Sequence, residues 1–153
     1  MTDLVFHNST SNKTYNSQLF ENILNTAIRI LNLRKKNLSL SINLVSESGI
    51  KKLNHKYRDK NKSTDVLSFP LQPERLQRPE GAKRLEGPFD IGDIFICLPI
   101  AKKYAKRENI SIERKLARLT VHGFLHLLGY DHEKSKKESD KMFKLENKIL
   151  KNG

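Results

Sequence analysis

A mixed α+β fold, with a small mixed sheet of about four strands covered by helices, is predicted by three features of the chain. Leu38, Leu40, Ile42 and Leu44 alternate with Ser39, Ser41 and Asn43, the period of two that marks a strand with one buried face. Ile91 to Leu98 is apolar on both faces, as a central covered strand is. Around these runs, apolar residues recur at the 3.6 period of amphipathic helices, so strands and helices interleave in the order β, α, β, α, β, β, α, α, α.

A strand leads that order. Ser17 is placed to cap the first helix, in which Phe20, Ile23, Leu24, Ala27, Ile28 and Leu31 share a face up to about Asn32. After the 38–44 strand, a short basic helix runs from about Ser48 with Ile50, Leu53 and Tyr57 inward. Thr64 to Phe69 is a strand stopped by Pro70. Pro73, Pro79 and Pro88, with Gly81, Gly87 and mixed charges, make 71–89 a surface loop, and not a linker, because the strand after it must join the same sheet. Pro99 opens a helix to about Glu108. Ser111 caps the next and longest helix, with Glu113 in its first turn and Leu116, Leu119, Gly123 and Leu127 inward. Residues 134–150 form a last amphipathic helix through Met142, Leu145, Ile149 and Leu150.

At 153 residues the chain fits one domain, 1–153, able to bury roughly 70% of its unfolded surface without cross-links. Cys97 is the only cysteine, which excludes an internal disulfide and suits a reducing compartment. The first residues lack the basic and apolar regions of a signal peptide, and no apolar run reaches the about 20 residues of a membrane span. A cytoplasmic location and no membrane partner are expected. The 29 Lys and Arg exceed the 17 Asp and Glu by 12, a surplus that attracts polyanions and makes nucleic acid the leading partner. A solvated lysine-rich surface is the plainer explanation, but the cations cluster at 51–62 and at 102–118. With no Trp and few aromatics placed to stack bases, such binding is expected to depend on charge more than on base identity.

His122-Gly123-Phe124-Leu125-His126-Leu127-Leu128-Gly129-Tyr130-Asp131-His132 holds three of the five histidines. A step of four residues puts His122 and His126 a turn apart on one helix face. Gly129 suits the left-handed position that ends a helix, and the reversal can bring His132 to the same point. One histidine on an apolar helix is usually a satisfied core residue. Three in the pattern HxxxHxxGxxH form a ligand set, with a fourth tetrahedral position left open as in a catalytic zinc site. The spacing is metzincin-like except that Gly123 stands where a zinc peptidase has its glutamate base, which argues against peptide hydrolysis. One Zn2+ per chain, held by His122, His126 and His132, is therefore expected.

Three stretches together resemble one family. Asn54 to Pro70 (NHKYRDKNKSTDVLSFP), Gly92-Asp93-Ile94 and His122 to His132 are similar in order and separation to the YbeY family of bacterial rRNA maturation factors. The resemblance implies a zinc-dependent, single-strand-specific endoribonuclease acting in rRNA maturation and ribosome quality control, with rRNA precursors and ribosomal subunits as partners. It also implies that His122, His126 and His132 are the zinc ligands and that Arg58 is the functionally required arginine. Without the resemblance, Arg58 is one more arginine in a basic loop. Asp65, Ser68, Gly92 and Asp93 occupy family positions too and are read as structural. Asp65, Tyr130 or Asp131 is expected to hydrogen-bond a ligand histidine from outside.

Two other classes compete with the nuclease. One is a zinc-stabilised RNA-binding ribosome-assembly factor with little catalysis. The other is a zinc hydrolase of a different ester or amide.

Overall fold

The computed structural model describes residues 2–71 and 89–152. Nine elements follow in the predicted order: β1 (Thr2–Asn8), α1 (Ser17–Ile30), β2 (Leu38–Val45), α2 (Glu47–Arg58), β3 (Val66–Pro70), β4 (Phe89–Cys97), α3 (Leu98–Glu108), α4 (Ile112–Leu127) and α5 (Lys136–Lys151). Most of the loop expected over 71–89 lies outside the described residues; Phe89, assigned to that loop, already belongs to β4. The four strands form one mixed sheet in the order β1-β2-β4-β3. β1 and β4 flank β2 in parallel, and β3 closes the other edge antiparallel to β4.

Three local departures from the sequence reading have simple causes. Asn16, not Ser17, caps α1, its side-chain oxygen accepting from the Gln18 amide at 3.1 Å; both residue types cap well, so the choice between neighbours falls to backbone geometry. α2 starts earlier than Ser48, because the Ser46 hydroxyl accepts from the Gly49 amide. Pro70 is the last residue of β3 instead of its stop, paired with Gly92, as the lost amide of a proline allows on an edge strand.

The alternating leucines of β2 are buried under α1, α4 and α5, where Phe20, Leu24, Phe124, Met142 and Ile149 meet Ile94 and Ile96 of β4. On the opposite face, Ile50 of α2 and Ile100 of α3 cover Leu67 and Cys97. The central strand is covered on both sides for that reason. α4 is the hub of the structure, touching α1, α3, α5, β3 and β4.

Two glycines set how tightly these layers close. A Cβ on Gly123 would stand 3.0 to 3.2 Å from three side-chain carbons of Ile94, so α4 lies nearly in contact with β4. Gly92 sits at the bulge where β4 slips one residue against β2. Its φ is +131°, and a Cβ there would stand 2.1 Å from the Phe69 carbonyl oxygen.

Gly92→Ala should therefore cost on the order of 3 kcal/mol, combining left-handed strain with a clash against rigid backbone. Gly123→Ala should cost less, because an isoleucine side chain can yield. Urea denaturation of the two variants tests the ranking; an unchanged midpoint for Gly92→Ala would contradict the close approach.

Candidate metal centre

α4 ends in a way that assembles the three histidines. Ser111 caps its start, accepting from the Arg114 amide. Gly129, at φ +101°, terminates the far end, while the Tyr130 amide reaches back to the Leu125 carbonyl at 3.0 Å. This left-handed closure returns the chain toward the helix and brings His132 beside His126. Asp131 steadies the next turn by accepting from the Glu133 amide at 2.9 Å.

The result is a set of three inward-facing nitrogens. His126 Nε2 lies 3.1 Å from His122 Nε2 and 3.1 Å from His132 Nδ1, and the three side chains together could hold a metal ion. Nitrogens at about 2.05 Å from a tetrahedral ion are separated by about 3.3 Å, so these two separations fit, and all three ligand atoms lie within 4.8 Å of one another. His132 turns its other nitrogen, Nε2, outward to 3.9 Å from Glu133. Burial first, then the nearness of His122 and His132, lowers the His126 pKa from 6.5 to about 4, against weaker opposing effects of Asp131 and the Tyr130 backbone. At neutral pH His126 thus keeps the lone pair a metal requires.

Glu146 of α5 fixes the third feature of the set. Its carboxylate lies 2.5 Å from His122 Nδ1. An ionised carboxylate can only accept, so Nδ1 carries the proton and Nε2 is left free to face the other histidines. The sequence reading expected Asp65, Tyr130 or Asp131 in this role. Asp65 instead closes the start of β3, its carbonyl accepting from the Cys97 amide and its carboxylate 3.5 Å from the Thr64 hydroxyl. The signal for Glu146 was present but unread: it shares the inward face of α5 with Met142 and Ile149, at steps of four and three, on a helix otherwise rich in lysine.

Gly123, the position of the missing glutamate, faces Ile94 in the core and not the histidines. A Cβ there would require the Ile94 side chain to give way by a few tenths of an ångström. Of the other family positions, Gly92 has the steric role described above, and Asp93 accepts from the Ser41 hydroxyl at 2.5 Å.

The histidines open into a cleft of about 610 Å³ whose wall includes Arg58, Asp65, Ser68 and Tyr130. Arg58 reaches it as the last residue of α2, with Asp59 behind it in the left-handed conformation at φ 55°. Beyond that cap, Asn54 holds the loop by donating to the Lys62 carbonyl at 3.0 Å. The basic stretch 51–62 thus ends at the cleft. The second cluster extends away from it, since Arg114 precedes His126 by twelve residues of α4, about 18 Å along the axis.

A three-histidine cluster that could hold a metal ion, open to a surface cleft and mounted on a mixed α+β sheet, defines the class of candidate metal-binding α+β proteins. Residues 5–153 match the family described as endoribonuclease YbeY, and the chain belongs to that family. It is 43% identical over 116 residues to the endoribonuclease YbeY of Persephonella marina, covering 76% of this chain and 71% of that protein. The Limosilactobacillus reuteri relative of the same name is 39% identical over 153 residues, with 97% and 95% covered. The solution structure of TM1509 from Thermotoga maritima superimposes with a TM-score of 0.64 at 30% identity, over 99% of this chain and 88% of that one. Among the described residues, no helix is long and apolar enough to cross a membrane.

Replacing Glu146 with Gln keeps the shape but removes the charge that anchors His122. Zinc affinity should fall about 10- to 100-fold, measured by competition with a chromophoric chelator, while the circular dichroism spectrum stays that of the parent. Equal affinities would mean that His122 is oriented by packing alone.

Proposed function

We propose that residues 1–153 act as one zinc-dependent, single-strand-specific endoribonuclease domain that hydrolyses RNA phosphodiesters in rRNA maturation and ribosome quality control. Its partners are rRNA precursors and ribosomal subunits, and its setting is the cytoplasm. The observation that carries this reading is the meeting of Arg58 with His122, His126 and His132 in one cleft, in a chain that belongs to the YbeY family.

His122, His126 and His132 would hold the zinc, which fits an all-imidazole set with an open position. A zinc ion there supplies Lewis acidity, lowering the pKa of water toward 7 and polarising a phosphoryl oxygen. The protein's own groups do the rest. Glu146 keeps the His122 proton on Nδ1. Arg58 offers a planar fork of N–H donors that matches two phosphate oxygens and favours the charge that builds on them in the transition state. Peptidase chemistry is disfavoured because Gly123 carries no base and the position faces Ile94 and not the histidines.

Purified protein should carry one zinc per chain by elemental analysis, and His126→Ala should carry much less than one. The same low metal content in both would remove the ligand assignment. Arg58→Ala should retain zinc and fold but lose about 10² to 10³ in the rate of cleavage of 5′-labelled single-stranded RNA. Arg58→Lys should recover little of it, since an ammonium lacks the fork. Undiminished turnover in the alanine variant would return Arg58 to the solvated surface.

A further inference from the structure

Tyr57 was expected inside, at a step of seven from Ile50. It is instead 58% exposed, and it forms part of the wall of the histidine cleft beside Arg58. The last turn of α2 overhangs the edge strand β3, where the space beneath is already filled. Phe69 lies under Tyr57 with ring centroids 5.3 Å apart and planes tilted by 60°. Phe69 in turn meets Phe95 of β4 edge-on at 5.7 Å. Three aromatic rings thus run from the core-side packing of α2 and α3 out to the rim of the cleft. The outermost is the most exposed, Phe69 and Phe95 being partly buried.

An exposed tyrosine ring on an aromatic base is a costly surface to leave in water but a good one for a flat ligand. Tyrosine has few rotatable bonds, and Phe69 blocks the inward position, so little conformational freedom remains to be lost on stacking. Lys56 adds charge at the same place, its Nζ 5.1 Å from the Tyr57 ring centroid. Consecutive helix residues project about 100° apart, so the cleft wraps the end of α2 and meets a phosphate-type donor, Arg58, and an aromatic face, Tyr57, side by side. Phosphate and base alternate along a nucleic acid strand in the same way.

We propose that Tyr57 is the base-stacking platform of this cleft and the residue through which it distinguishes single strands from duplexes. The proposal rests on the endoribonuclease reading above and adds to it a specificity determinant. A base within a duplex already has both faces covered by its neighbours and cannot reach the ring, whereas an unpaired base can be splayed onto it. Stacking on an aromatic is tolerant of base identity, so Tyr57 selects strandedness and not sequence. Tyr57 is then one of the few aromatics the chain places to stack a base.

The test uses the full-length, zinc-loaded protein and a single-stranded RNA carrying one 2-aminopurine, alongside the same strand fully paired. Binding is read by stopped flow, before turnover, at one fixed salt concentration. With the parent protein, 2-aminopurine emission should be quenched in the single strand. Tyr57→Ala should weaken single-strand binding about 10-fold, the order expected for losing one base–aromatic stack, and abolish the quench. Its duplex binding and zinc content should match the parent. Tyr57→Phe and Tyr57→Trp should restore both affinity and quench, because each keeps an aromatic face. If Tyr57→Ala binds the single strand as the parent does, or loses single strand and duplex equally, the stacking role is wrong while the nuclease reading stands. If the parent binds no single-stranded RNA, the nuclease reading falls and the stacking role falls with it.

Discussion

How closely α4 can approach β4 decides the rest of the site. Gly123 packs so tightly on the Ile94 side chain that a further carbon would force that side chain to shift, which seats the helix directly on β4. With that face fixed inward, the 100° step of a helix leaves His122 and His126 on the adjoining face, half-buried at the rim. A larger residue at 123 would push α4 outward and carry both imidazoles with it. Gly92 has the matching role on the sheet side, letting the Phe69 backbone pass close to β4 and so bringing β3, with Ser68 and the wall of the cleft, under the end of α4. The glycine that removes the peptidase base is thus the same glycine that positions the histidines. Loss of one chemistry and placement of the other have a single steric cause.

Three imidazoles, with His126 Nε2 at 3.1 Å from a nitrogen of each of the other two, are a poor arrangement on their own. Lone pairs face one another, and protonating any one of them puts a cation among partly buried neighbours, which is why His126 is held near 4. The arrangement persists because the two outer rings are held in place: His122 by Glu146 of α5, His132 by the turn through Gly129 and Asp131. α5 is therefore part of the centre although it contributes no inward-facing nitrogen. Packing of Met142 and Ile149 into the core sets where Glu146 falls, so the stability of the last helix and the affinity of the centre are coupled.

The chain makes its ligands legible because helix periodicity is local: HxxxH needs only the 3.6 period, and Gly129 only its tolerance of positive φ. The covered strand Ile91–Leu98 and the half-buried strand 38–44 are legible for the same reason. Glu146 and Tyr57 were missed because their roles depend on contacts between elements distant in sequence. Glu146 finds His122 across 24 residues, and nothing local separates it from other acids on a lysine-rich helix except its place on the apolar stripe. Tyr57 follows the same stripe as Ile50 and Leu53, yet α2 outruns the surface that would bury it, and Phe69 occupies the last space. Periodicity states which way a residue faces; it does not state whether anything is there to cover it.

The charge around the cleft runs against the charge of the chain. Net charge is +12, but among the described residues lining the cleft Arg58 is the only lysine or arginine, against Asp65, Asp131 and Glu133. The formal balance of that wall is one positive charge against three negative, a surface that would repel a phosphate backbone. A divalent cation on three neutral histidines would bring the balance to zero and place its positive charge in the same cleft as Arg58. Long-range attraction would then come from the lysines of α2 and α3 outside the cleft, where screening by salt is strongest, while entry of a phosphate would depend on the metal being in place. On this electrostatic argument a bound ion would govern admission of an anionic strand, and among the described residues of the wall Arg58, flanked by acids, has no like-charged neighbour to replace it.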